Sequence, residues 1–295
     1  MKYLLHIVLS TGTVRQLFVL STILAPERGN TMHRTTIEER RDRVDRHAAT
    51  TEVRTTPVRS TSRRQAAKVA GLAYIGLFFL GMFANFFVLE GLIESGDATA
   101  TASNLRESEG LFRAGLVGFL VIFALDVVVA WALHLVFKPL HRDLSLLAAW
   151  FRLAYTTLLG VATVFLFLAL DLVTGPDYLT AFDPAQLDAQ AMSYLDAFAI
   201  TWVIGLLLFG IHLVLLGWMI VTSGTISRAL GYLLLVAGAG YVIDTLGHAL
   251  LGTYQDYESL FLVIVAVPAV IGELALTLWL LFRAGDESIV TEVTA

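Results

Sequence analysis

Six long apolar blocks recur along the chain, at approximately 69–89, 114–137, 146–170, 196–221, 229–250 and 259–282. A helix rising 1.5 Å per residue crosses the hydrocarbon of a bilayer in about 20 residues, so each block is long enough to span. Nowhere do ten-residue segments alternate apolar and polar positions, which a membrane barrel requires, so the spans are predicted to be helices. The second and third blocks are joined by KPLHRDLS, where Pro139 cannot donate to a helix and stops it. TSGTISR joins the fourth and fifth. Joints this short make antiparallel neighbours.

Before the fourth block, DPAQLDAQ reads as a helix start, with Asp183 as cap, Pro184 at the first helical position and Gln186 at the third. That helix is therefore expected to begin outside the bilayer and run in without a break. Gly71, Gly76 and Gly81 mark the first span, Gly205, Gly210 and Gly217 the fourth, and Gly231, Gly238, Gly240 and Gly247 the fifth. No strict GxxxG occurs, so these glycines predict general close packing of helices instead of a dimer stripe. Trp131, Trp150, Trp202, Trp218 and Trp279 fall toward span ends, as interfacial anchors would.

Composition agrees: 57% of the residues are hydrophobic and 15% charged, against about 25% charged in soluble domains. Without cysteine there are no disulfides or thiolate metal sites. The charge is uneven. Residues 28–68 hold eleven Arg or Lys against five Asp or Glu, and so little apolar surface predicts disorder for the basic segment 1–67. Within it, residues 1–27 carry two apolar patches too short to span. They read as a poor signal peptide, a membrane-surface segment, or an extension ahead of a start at Met32.

Lys138, Arg142, Arg228 and Arg283 fall in joints on the same side as that segment. Asp171, Asp177, Asp183, Asp188, Asp256 and Glu258 fall on the other side. This is the positive-inside pattern, and with an even number of spans it predicts that both termini are cytoplasmic. The expected fold is thus all-α, a compact bundle of six transmembrane helices over 68–283, followed by a short acidic tail at 284–295.

The chemistry lies in the ionisable residues inside the oil. Asp126 falls near the middle of the second span, Glu273 midway along the sixth, and Asp244 toward the end of the fifth. A charged Asp at the bilayer centre costs about 2.5–3.5 kcal/mol on insertion scales, and such groups face the bundle interior. Their candidate partners are His134, two turns from Asp126; His248, one turn after Asp244; His212 in the fourth span; Arg152 near the start of the third; and Asn85 in the first. At the acidic face, Glu109, Arg113 and Asp196 stand near the membrane surface, and Arg113 is expected to pair with Glu109 one turn away.

Three readings of this set stay open. It is a buried hydrogen-bonded network that orders the helices; or a path for protons or cations coupled to a small solute; or, less directly, a metal site of an intramembrane hydrolase built from Asp126, His212, Asp244, His248 and Glu273. RAGLVGFLVIFALD and RALGYLLLVAGAGYVID, three helices apart, echo each other as inverted repeats of a transporter would. HExxH, GxSxG, a P-loop and a dinucleotide fingerprint are all absent, so no catalytic residue, metal or cofactor is assigned. Lipid is the implied partner. Nucleic acid is not, since the basic run lacks aromatic interleaving. A homo-oligomer and the identity of any solute remain open.

EGLFRAG, the Asp of the second span, KPLHRDLSLLAAWFRL, LDAF followed by GLLLFGIHLVLLGW, and SGTISRALGYLLLVAGAGYVID resemble the DUF4386 family over roughly 66–283. The resemblance implies a prokaryotic inner-membrane protein. It also implies family-type positions at Glu109, Phe112, Arg113, Asp126, Lys138, Pro139, Arg152, Asp196, His212, Gly224, Arg228, Asp244 and Glu273, with no role attached.

Overall fold

The computed structural model describes residues 61–284. The expectations for residues 1–60, and for the tail from 285 onward, lie outside them. Among the described residues, six helices are long and apolar enough to cross a membrane, one for each predicted block. They are α1 (Arg63–Leu92), α3 (Glu109–Phe137), α4 (Arg142–Thr174), α5 (Pro184–Ser223), α6 (Arg228–Leu250) and α7 (Glu258–Phe282). A short helix, α2 (Ala98–Glu107), stands in the joint after α1, which the apolar pattern left without structure.

Local signals set the ends. Ser62 and Gln65 cap α1 reciprocally, each side chain accepting from the other's backbone N–H, so α1 begins six residues before its apolar block. Pro139 follows the end of α3. Asp183 accepts from the N–H groups of Ala185 and Gln186, as expected. From there α5 runs unbroken for 40 residues, roughly 60 Å. It therefore projects well beyond a hydrocarbon layer of about 30 Å. Gly224, at φ 69°, closes α5 in the left-handed conformation that glycine adopts without penalty.

The helices close a ring in chain order, α1 against α3, then α4, α5, α6, α7 and back to α1. Lys138, Arg142, Arg228 and Arg283 collect at one end, the basic end; Asp97, Glu109, Asp177 and Asp183 lie at the other, the acidic end. Outward faces are greasy, with Leu72, Phe79, Phe87, Val263 and Phe282 among the large exposed side chains. The pattern suits lipid, which holds such residues at no cost.

Tight packing is concentrated between α5 and α6. Gly210 meets Gly238 and Gly217 meets Gly231; a Cβ at Gly210 would stand 2.7 Å from the Gly238 carbonyl oxygen, and one at Gly217 2.6 Å from that of Gly231. Both pairs are seven residues apart on each helix, so they fall in one antiparallel seam. Thr245 extends it by donating to the Val203 carbonyl at 3.0 Å. The glycines thus do serve close packing, and their register is sharper than spacing within either helix reveals.

Three of the five tryptophans, Trp131, Trp150 and Trp218, are exposed on the lipid-facing surface. The anchor reading does not extend to the other two. Trp202 packs edge-to-face with Phe119 and Phe198, and Trp279 stacks on Phe137 at 5.8 Å.

Gly210→Val should destabilise the purified protein by far more than Gly81→Val, because a side chain at Gly81 meets nothing within 4 Å. Overpacking of this kind costs typically 1–3 kcal/mol or more. Thermal unfolding in a mild detergent checks the ranking.

Candidate functional site

Counted from the basic end of each helix, six side chains fall at nearly one depth. Tyr74 of α1 is 11 residues in, Asp126 of α3 is 11, Arg152 of α4 is 10, His212 of α5 is 11, Tyr241 of α6 is 13 and Glu273 of α7 is 9. At 1.5 Å per residue these are roughly 14–20 Å, the middle of a bilayer. Every spanning helix contributes a polar side chain to one layer.

Arg152 is the hub of that layer. The sequence places it near a membrane face, but α4 begins four residues before its apolar block, so its guanidinium lies well inside. It is 2% exposed and pairs with Asp126, 3% exposed, through both Nε and Nη2; the Nε bond is 3.0 Å. Its Nη1 donates to Tyr74 Oη at 2.7 Å and stands 3.4 Å from His212 Nε2. The rings of Tyr74 and Phe209 approach its Cζ at 5.0 and 5.2 Å, within cation–π range.

The far side of the imidazole is also engaged. His212 Nδ1 lies 2.8 Å from the Ala148 carbonyl, which can only accept, so Nδ1 carries the proton and Nε2 faces Arg152 as an acceptor. Both ring nitrogens are committed, and His212 works here as part of the cradle for Arg152.

The other acid of the layer is held differently. Glu273 is partly buried, and Tyr241 Oη donates to it across a long 3.4 Å. Tyr241 in turn packs edge-to-face on Phe209, which lies against Tyr155 at 5.0 Å. Asp126 is thus clamped by a cation, while Glu273 faces a phenol.

Several predicted residues stand elsewhere. His134 is near the basic end, where its Nδ1 lies 3.0 Å from Ser145 Oγ; it does not border Asp126. Asp244 and His248 form a second cluster near the acidic end, with Tyr254 Oη donating to Asp244 at 2.6 Å and the His248 ring stacked on Tyr254 at 3.5 Å. The sequence echo that pairs Asp126 with Asp244 therefore does not bring the two acids to one site. Glu109 and Arg113 do pair with each other, at 2.6 Å. Asp196 is exposed on α5.

Sequence reasoning missed Tyr74, Phe209 and Tyr241, which touch Arg152 or Glu273. Tyr74 and Tyr241 carry the one available signal, a hydroxyl in mid-span. It also missed Arg106, which pairs with Asp188 of α5 and donates to the Val173 carbonyl at the end of α4. That contact ties α2 across two helix ends.

Among the described residues, no three His, Asp or Glu side chains converge where they could hold a metal ion. Asp244 and His248 remain two ligand types on one turn, so the zinc-hydrolase reading lacks a site there.

The family model described as a domain of unknown function, DUF4386, matches residues 69–284, all six spans. The chain belongs to the DUF4386 family. An uncharacterised protein of Archaeoglobus fulgidus is 35% identical over 152 residues, which cover 50% of this chain and 78% of that protein. No solved structure matches. This DUF4386 chain is a polytopic membrane protein with a prokaryotic relative and a buried Asp–Arg centre.

Removing one partner of that centre leaves a charge stranded. Asp126→Leu alone and Arg152→Leu alone should each cost about 3–5 kcal/mol of stability, as broken buried pairs do. The double variant Asp126→Leu with Arg152→Leu should recover much of the loss. Unfolding of the two single variants and the double variant in detergent reads the coupling.

Proposed function

We propose that the protein is a proton- or cation-coupled carrier of a small solute in a prokaryotic inner membrane, with Glu273 the carboxylate at which the coupling ion exchanges. The observation that carries this reading is the contrast between the two mid-layer acids. Asp126 is buried and its Oδ1 accepts two hydrogen bonds from the Arg152 cation, whereas Glu273 is only partly buried and takes a long hydrogen bond from Tyr241. Intramembrane acids held this lightly are the groups that relay protons or coordinate ions in transporters. Tyr241 supplies a hydroxyl that can donate to the ionised carboxylate or accept from its protonated form.

The basic end supports an orientation with both termini in the cytoplasm, by the positive-inside rule. Because the chain contains no cysteine, single cysteines report sidedness cleanly. Thr180→Cys should react with a membrane-impermeant maleimide in intact cells, and Ser227→Cys only after permeabilisation. The reverse pattern would invert the topology.

Carrier activity is tested in proteoliposomes under an imposed proton or sodium gradient, read by an internal pH dye or by radiolabelled sodium. Wild-type protein should speed one of the two fluxes about tenfold over protein-free vesicles, and Glu273→Gln should abolish it without altering thermal unfolding. If neither ion moves, or if Glu273→Gln conducts as well as wild type, the layer is purely structural.

A further inference from the structure

At the acidic end, α1 departs from α-helical geometry. Residues Met82–Leu89 form a π-helix, whose i→i+5 bonds include the Glu90 N–H to the Asn85 carbonyl. Its wider turn carries Ala84 and Val88 onto Gly118 and Gly115 of α3. It also stacks side chains five residues apart, so Asn85 Nδ2 reaches Glu90 Oε1 at 3.4 Å. On an α-helix those positions would be about 140° apart.

Asn85 and Glu90 face a cavity of about 490 Å³ between α1 and α5, helices that are not neighbours in the ring. Ser95 stands near the same end. The remaining wall is apolar, chiefly Leu89, Leu195, Leu206 and the aromatic pair Phe198 and Trp202. From Leu195 to Leu206 it follows α5 for roughly 16 Å, and Leu206 is six residues from His212. The volume falls in the range of small-molecule sites, about 300–1,000 Å³.

We infer that this cavity binds an organic ammonium ion carrying an apolar group. Glu90 is the one ionisable side chain among the lining residues, so the cavity is complementary to a positive charge and offers nothing cationic to an anion. The carboxylate and the Asn85 amide oxygen take the ammonium head. Phe198 and Trp202 take the apolar body, and their ring faces add cation–π attraction. The lining contains no Arg, Lys or His, so it offers no counter-charge to a free phosphate or carboxylate. The inference stands on the cavity alone and does not depend on ion exchange at Glu273.

The test is calorimetric titration of the purified full chain in a neutral detergent with benzyltrimethylammonium, and with benzoate as the anion of similar size. The ammonium should bind saturably and benzoate should not. Glu90→Gln should weaken binding about tenfold, and Trp202→Leu several-fold, with both variants eluting as wild type on size exclusion.

A second arm repeats the titration in nanodiscs of phosphatidylglycerol, with and without phosphatidylethanolamine. Loss of binding when the amine lipid is present assigns the natural head group to lipid; unchanged binding assigns it to a free amine, and both keep the ammonium site. No saturable binding in detergent, equal binding of benzoate, or unaltered affinity in both variants would overturn it.

Discussion

A guanidinium held at mid-bilayer depth is the constraint around which this bundle is arranged. Arginine keeps its charge, and its five N–H donors point in a fixed fork that water would otherwise fill. Asp126 takes two of the directions, Tyr74 and His212 share another, and two aromatic rings close its faces. These partners come from α1, α3 and α5, so the side chain that leaves α4 reaches three other helices. Lipid offers no hydrophobic drive for helices to associate, and polar contacts of this kind fix their order and rotation. Satisfying one cation thus ties four of the six spans, α1, α3, α4 and α5, to one another.

Around that hub the layer is unequal. The α3–α4–α5 sector carries the ion pair and the histidine, and the glycine seam binds α6 to α5 by backbone contact. Glu273 arrives on the opposite side, from α7. Its helix also contains Pro268, which cannot donate to the Ile264 carbonyl; that oxygen faces Gly240 of α6, whose missing side chain leaves room for it. The acid with the lighter hydrogen bonding therefore rides on the helix with the interrupted backbone ladder.

The six spans were legible because bilayer thickness imposes a length, and apolar blocks of that length have few alternative readings. The start of α5 was legible for a similar reason, since Asp183 caps the first turn and Pro184 fits the first helical position, though the Gln186 side chain adds no capping bond of its own. Asp126 and Glu273 announce themselves by the cost of a carboxylate in oil. Their partners do not. Arg152 reads as interfacial because an apolar window cannot see the turn of α4 that precedes it, and Tyr74 and Tyr241 pass as ordinary aromatics. The π-helix leaves no trace in MFANFFVL, which contains neither proline nor glycine; its register emerges only against Gly115 and Gly118. His134 shows the converse, where a position two turns along the same helix suggested a partner for Asp126 but Ser145 on the next helix lies against the ring.

The two helices flanking the closing seam of the ring are also the least embedded. In their most apolar stretches α1 and α7 have 28% and 22% of residues buried, against 44% to 50% in the other four helices. A circular wall yields first where it is thinnest, and here the thin staves are adjacent. Any widening of the ring is cheapest as an outward lean of α7 away from α1, hinged near Pro268, with the other five staves standing still. Such a lean would carry one acid out of the charged layer and leave its counterpart clamped, changing the electrical balance of the centre without breaking an ion pair.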